Sequence, residues 1–240
     1  MPKTVSAGKQ LPLLVSLHGT GANGAVQASL TRWTSFSDSL TASGGSFIAA
    51  FPDGAGTLWL WGAENSYDVG FIFDVIQSVR ETGCIDADSI YVDGWSEGSY
   101  MAQRMGCAAG AQSSASHGIV FAGVHGYAGG NPDLGQSCAH PTATRVLLSQ
   151  GLDDTIIDPK RVGYPAFTAW GDRYSCASAS QPFTATQQLE GCAAGTAVAW
   201  WPIAGQGHLA WSCAANPTWH DSGVWSFFTR RQAPSATTCS

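Results

Sequence analysis

Charge is scarce in this sequence. Of 240 residues only 12% are Asp, Glu, Lys or Arg, against about 25% in an average soluble protein, and the 11 basic residues gather into no run or stripe. With a net charge of -6, the chain offers no electrostatic face to a nucleic-acid backbone or an anionic membrane. An uncharged substrate is expected instead. Long apolar runs are also missing: none approaches the roughly 20 residues that span a bilayer, and MPKTVSAGKQ lacks the apolar segment of a secretory leader. Residues 1–10 are read as the N-terminal lead of a mature chain. Paired C-x-x-C spacings are absent, so the seven cysteines do not read as zinc ligands, and no metal or organic cofactor is expected. Disulfides fit better, and with them an oxidising, extracellular compartment. The odd count leaves one thiol over, for which Cys239 in the polar tail SATTCS is the candidate. No internal repeat and no Pro/Gly/Ser-rich linker divides the chain, which implies a single domain over residues 1–240 with a flexible tail at 232–240.

Apolar runs punctuated by turn residues are present throughout. Strands are expected at Leu11–Leu17, Ser46–Phe51, Ser89–Val92, Ile119–Val124, Arg145–Leu148 and Ala197–Ile203, and helices at Ala25–Ser39, Val69–Arg80, Ser96–Cys107, Tyr164–Tyr174 and Asp221–Arg231. Their alternation predicts an α/β fold with a mostly parallel sheet covered on both faces. Ligands of such sheets bind at the carboxyl ends of the strands.

One of those strand ends carries Gly94-Trp95-Ser96-Glu97-Gly98, a G-x-S-x-G sequence between a predicted strand and a predicted helix. A serine at the apex of so tight a turn is held in a strained conformation, and glycine neighbours permit the close packing this requires. The plainer alternative is a turn in which Ser96 only caps the helix. A serine hydroxyl needs a base and an orienting carboxylate, expected downstream in the order Ser, Asp, His. The strand Arg145–Leu148 runs into Ser149-Gln150-Gly151-Leu152-Asp153-Asp154, and Ala197–Ile203 runs into Ala204-Gly205-Gln206-Gly207-His208. His208 therefore fits the base. His125 follows a predicted strand but precedes the aspartates, and His18, His117, His140 and His220 are read as structural or surface residues. Local chemistry does not choose between Asp153 and Asp154. Donors for an oxyanion are expected from the backbone N–H groups of Glu97 and of Thr20, in the loop His18-Gly19-Thr20-Gly21.

The segments LVSLHGTG, DVGFIFDVIQSV, CIDADSIYVDGWSEGSYMAQRMGC, GLDDTIIDP and GQGHLAW together resemble the feruloyl esterase and polyhydroxybutyrate-depolymerase-like group of secreted α/β-hydrolases, which includes carbohydrate esterase family one. The resemblance runs from about Leu11 to Arg231. It implies an α/β-hydrolase fold and, because that group carries one or two strands ahead of the one preceding its HG loop, a sheet lacking its first one or two strands. It implies Asp154 as the acid, three residues after Gly151, although Asp158 intervenes before Pro159 where the group's pattern has none. It also implies bridges Cys84–Cys107 and Cys176–Cys192, leaving Cys138 and Cys213 as a third pair. Trp211 lies one place later than the group's pattern puts it.

The expected activity is that of a serine carboxylesterase: a feruloyl (hydroxycinnamoyl) esterase acting on plant cell-wall polysaccharide, with polyhydroxybutyrate depolymerase or acetylxylan esterase as alternatives. A non-catalytic carbohydrate-binding module on the same scaffold is the alternative from another class. The expected partner is a polysaccharide-linked or polymeric ester, met by a monomer. Trp59, Trp61, Trp95 and Trp211 are candidates to line the substrate face, because indoles give flat apolar surface with one donor. Asp68 is expected either near the site or as a helix cap.

Overall fold

The computed structural model describes residues 8–63, 66–108, 118–130, 138, 144–209, 218–230 and 232–234. Seven strands form one sheet: β1 (Leu11–Leu17), β2 (Ile48–Ala50), β3 (Ile85–Trp95), β4 (Gly123–Tyr127), β5 (Arg145–Gly151), β6 (Gln187–Gln188) and β7 (Ala197–Ile203). Their spatial order is β2-β1-β3-β4-β5-β7-β6, parallel except for the short antiparallel edge β6. Helices α1 (Gly24–Thr31), α2 (Trp33–Ser39), α3 (Tyr67–Arg80), α4 (Glu97–Ala108), α5 (Tyr164–Arg173) and α6 (Trp219–Arg230) cover it.

Alternation along β1 shows how two cores arise from one run. Leu13, Val15 and Leu17 face one side, where Ile72, Phe73 and Ile76 of α3, Met101 and Met105 of α4 and Phe167 and Trp170 of α5 pack. Leu14 faces the other side, with Trp33 and Phe36 of α2 and Val224, Trp225, Phe227 and Phe228 of α6. A strand buried on both faces needs apolar residues at successive positions, and LPLLVSL supplies them. Trp200 and Trp201, successive residues of β7, are buried on opposite faces. Each such side chain contributes about 1.5–3 kcal/mol by leaving water.

The chain moves from β1 to β2 on one side, then crosses to β3 on the other. The crevice between the ends of β1 and β3 is thus a topological switch point, the usual ligand position in open α/β sheets. Five segments converge on that end of the sheet, following β1, β3, β4, β5 and β7.

Several sequence expectations shift. The helix expected over Ala25–Ser39 breaks at Arg32, which adopts φ 53°; the break turns Trp33 inward, where its indole N–H reaches Asp93 Oδ2 at 2.8 Å. The strand expected at Ile119–Val124 lies at Gly123–Tyr127, so His125 sits inside the strand and fully buried rather than after it. Of the tail, Ala233 packs against the α2–α6 core, its N–H on Gln188 Oε1 at 3.1 Å, while Gln232 is exposed.

Cysteine pairing is corrected as well. Cys107, buried at the end of α4, bonds to Cys138, which excludes both Cys84–Cys107 and Cys138–Cys213. The pair Cys176–Cys192 forms as the resemblance implied. Cys84 stays unbridged and partly exposed: pairing with β1 begins at Ile85, and the Cys84 carbonyl accepts from Leu11 N at 2.9 Å. That register fixes Cys84 on the sheet margin while α4 carries Cys107 toward the β4–β5 connection. Cys213, Cys239, His117, His140 and Trp211 lie outside the described residues.

Candidate active site

Ser96 follows the last residue of β3 and precedes the first of α4. Its φ is 56°, a left-handed conformation costly for any residue with a side chain and concentrated at functional turns. Two bonds hold the turn: Ser96 N to Tyr127 O at 2.9 Å, and Ser99 N to Ser96 O at 2.9 Å. Gly98 makes it possible, because a Cβ there would run into the carbonyl oxygens of Leu17 and His18 at the end of β1. The glycine thus lets the elbow and the HG loop pack backbone to backbone.

His208 stands over this turn, with Nε2 2.9 Å from Ser96 Oγ and Nδ1 2.8 Å from Asp154 Oδ2. Its side chain is 13% exposed. Asp154 is buried and Asp153 exposed, and it is Asp154 that meets His208. Asp154 Oδ1 accepts the N–H groups of Ile156 and Ile157, each at 2.9 Å, and Oδ2 accepts Gln150 Nε2 at 3.2 Å in addition to His208. An ionised carboxylate with four donors is fixed in orientation. It places the proton of His208 on Nδ1 and leaves the Nε2 lone pair for the serine hydroxyl.

The HG loop after β1 is equally determined. His18 is fully buried; its Nε2 accepts Gly54 N at 3.0 Å, so its Nδ1 carries the hydrogen donated to Gly19 O at 2.9 Å. Thr20 and Glu97, the two expected oxyanion residues, are joined through their side chains, Thr20 Oγ1 donating to Glu97 Oε2 at 3.1 Å.

The tryptophans divide. Trp59 is 2% exposed, which corrects the expectation that it lines the substrate face: its indole N–H donates to His18 O at 2.9 Å and its ring packs 4.8 Å from the His18 imidazole. It braces the HG loop from inside. Trp61 is partly exposed and lies 4.9 Å from Tyr100, on the first turn of α4. Burial, with the nearby Asp154 charge, raises the Tyr100 hydroxyl above its ordinary value. Trp95 is partly exposed, its ring 5.6 Å from His208. Asp68 is not the cap of α3, a role Ser66 takes; its Oδ2 accepts Leu60 N at 2.6 Å, while Arg104 Nε donates to Trp61 O at 2.8 Å, so the 59–61 loop is pinned from both sides. Sequence reasoning missed Tyr100 and Tyr127, which meet distant segments at Trp61 and Gly207, and Gln150, whose bond to Asp154 four residues on depends on how the loop turns.

A second Ser–His–Asp chain lies beneath, between the sheet and α6. His125 Nδ1 is 2.6 Å from Asp93 Oδ1, His125 Nε2 is 2.7 Å from Ser149 Oγ, and Ser149 Oγ is 3.2 Å from His220 Nε2. Ser16 and Trp33 also donate to Asp93 Oδ2. Asp93, His125, Ser149 and His220 are each at most 2% exposed, so no substrate meets them. Hydrogen bonds hold the Asp93 carboxyl below its ordinary value in spite of the opposing effect of burial. Among the described residues no group of His, Cys, Asp and Glu is placed to hold a metal ion, and no helix is long and apolar enough to cross a membrane.

Comparison with solved structures follows the sheet. An acetyl xylan esterase from Aspergillus awamori superposes with a TM-score of 0.67 at 15% identity, covering 95% of this chain and 92% of that one. An esterase called PE8 superposes at 0.59 with 17% identity over 96% of each chain. The fold is an α/β-hydrolase fold. Within it, the sequence matches no protein-family model. It is 31% identical over 102 residues to feruloyl esterase D of Neurospora crassa, covering 42% of this chain and 34% of that protein. It is 29% identical over 87 residues to a bifunctional acetylxylan esterase/xylanase of Neocallimastix patriciarum, covering 36% of this chain and 12% of that protein. The matched stretches thus span about a third or less of these curated relatives. Ser96 stands at the strand-to-helix turn after β3, the position at which that fold presents a nucleophile.

Proposed function

We propose that the chain is a secreted serine carboxylic-ester hydrolase in which Ser96 is the nucleophile, His208 the general base and Asp154 the residue that orients and stabilises the imidazolium. The observation that carries this reading is the left-handed Ser96 with its hydroxyl 2.9 Å from His208 Nε2. As Ser96 Oγ attacks the ester carbonyl carbon, its proton passes to His208 Nε2 and the carbonyl oxygen becomes an oxyanion. The backbone N–H groups of Thr20 and Glu97 receive that charge. Collapse of the tetrahedral intermediate breaks the bond to the alcohol oxygen, which takes the proton from His208, leaving an acyl-serine. Water then repeats the sequence: His208 removes its proton, the hydroxide adds, and Ser96 leaves as the alcohol.

For the acyl group, a hydroxycinnamate such as ferulate esterified to plant polysaccharide is the favoured reading. It is supported by the partly exposed Trp61 and Trp95, which offer stacking surface for a phenolic ring, and by the likeness to a feruloyl esterase. Acetylated xylan is the second reading, supported by the two comparisons with acetylxylan esterases. Disulfides Cys107–Cys138 and Cys176–Cys192 support an oxidising compartment.

Hydrolysis of p-nitrophenyl acetate, abolished in Ser96→Ala, is the first test. A wild type that neither hydrolyses this ester nor reacts with a serine-directed phosphonate rules out the esterase and leaves a binding module. Relative kcat/KM on methyl ferulate, acetylated xylan and short polyhydroxybutyrate then ranks the substrates, methyl ferulate being expected highest.

A further inference from the structure

Three consecutive carbonyl groups of the loop after β7 each meet a donor from a different part of the sheet. Gln206 O accepts Asp153 N at 2.9 Å. Gly207 O accepts the Tyr127 hydroxyl at 2.7 Å, and His208 O accepts the Trp95 indole N–H at 2.8 Å. Tyr127 and Trp95 are the last residues of β4 and β3 and pair directly across those strands. Gly151 lets the loop come so close, since a Cβ there would strike the carbonyl oxygens of Gln206 and Gly207.

We propose that Trp95 and Tyr127 are positioning residues, a rigid two-donor clamp on the backbone of Gly207 and His208 that holds the imidazole between Ser96 and Asp154. This rests on the esterase reading given above. The loop Ala204-Gly205-Gln206-Gly207 carries two glycines just before His208, and Gly205 lies at φ 71°; left alone it would let the imidazole wander. A base must satisfy two hydrogen bonds at once, one to Asp154 and one to the serine, and a displacement of about 1 Å costs on the order of a hundredfold in rate. Fixing backbone on both sides of the His208 Cα removes that freedom. The Tyr127 ring is fully buried, and burial raises its hydroxyl far above the ordinary tyrosine value, so it remains an O–H donor at any working pH.

The test uses the full chain with Tyr127→Phe, Trp95→Phe and the double variant. Tyr127→Phe removes one oxygen and keeps the ring. Expected are a fall in kcat for p-nitrophenyl acetate of about tenfold in each and more in the double, KM within about twofold, and an acidic limb of the kcat profile displaced from the parent's, because imidazole and carboxylate no longer keep one geometry. In proton NMR, the downfield His208 Nδ1–H resonance should broaden or vanish. Unchanged kcat with a sharp Nδ1–H signal overturns the clamp. So does a loss of activity that tracks thermal stability while the acidic limb and the NMR signal stay put, since the two residues would then be merely structural. If Ser96→Ala is as active as the parent, the esterase reading fails, and the Nδ1–H signal still decides whether the clamp orders His208.

Discussion

Two Ser–His–Asp chains run through this molecule, and the buried one has the shorter hydrogen bonds. In the buried chain Ser149–His125–Asp93 the contacts are 2.7 and 2.6 Å; at the strand ends Ser96–His208–Asp154 they are 2.9 and 2.8 Å. What separates them is position. Ser149 lies inside β5 with an imidazole on either side of its hydroxyl, donating to one and accepting from the other. Ser96 lies past the end of β3 in a left-handed turn, its hydroxyl offered to one imidazole that is partly open to solvent. A triad pattern buried in a sheet is a polar core element. The same pattern at a switch point can meet a substrate.

The comparison breaks most visibly at the two serines. Ser96→Ala should lower esterase turnover by about a thousandfold or more with little change in Tm. Ser96→Gly should be equally inactive yet more stable by about 1 kcal/mol, because it relieves the left-handed strain; urea denaturation checks this, and an active Ser96→Gly would show that the hydroxyl is not the nucleophile.

Next in size is Asp93→Ala. Removing this carboxylate strands His125, Ser16 and the Trp33 indole, all buried, and each buried donor left without its acceptor costs about 1–3 kcal/mol. Chemical denaturation should show that loss. Any fall in activity should recover at low temperature, where the fold holds. A loss under 1 kcal/mol would mean that the network contributes little to stability.

This buried network marks where the sequence stopped being legible. Strands β1 and β7 could be read to the residue, because continuous apolar runs bounded by turn residues leave little choice of boundary. The elbow, the His208 loop and the strand-end aspartates were legible for a related reason: each follows such a run. Asp93 and Ser149 sit within strands, and nothing local separates a buried polar residue that has partners from one that faces water. His125 was misplaced because Ile119–Val124 looked like the strand, whereas pairing with β3 begins at Gly123. Cys84–Cys107 and Cys138–Cys213 were misassigned because the partner of Cys107 depends on where α4 ends in space, which spacing does not encode. Trp59 was read as pocket lining since a loop tryptophan has no period to reveal that His18 lies beneath it.

Ser149→Ala should have a smaller effect than Asp93→Ala. It leaves the Nε2 atoms of His125 and His220 without the oxygen they share, a loss of about 1–3 kcal/mol, while kcat at saturating substrate stays near the parent value. A large fall in kcat with stability intact would show that the two chains are coupled through β5, whose end carries the Asp154 loop; a double-mutant cycle with Tyr127→Phe would then locate the coupling.

The smallest effect concerns the floor of the network and is read as a slope. Burial holds His220 well below its ordinary value of 6.5, aided by His125 and opposed by Asp93. Below about pH 6.5 the unfolded chain therefore takes up a proton that the native state refuses, so this histidine makes stability fall as pH falls. Burial and the Asp93 charge hold the neighbouring Asp221 well above its ordinary 3.8, against a smaller pull from Arg32. Above about pH 4 the unfolded chain releases a proton that the native state keeps, so this aspartate makes stability fall as pH rises. Between about pH 4.5 and 6 the two contributions oppose each other and largely cancel. Replacing either should expose the other: Asp221→Asn should make stability rise more steeply with pH than in the parent, and His220→Phe should make it fall, each by up to about 1.4 kcal/mol per pH unit. Urea midpoints taken across that window measure the slopes. Two variants whose slopes match the parent would show that neither group changes its protonation on folding, and the buried floor would then be held by packing alone.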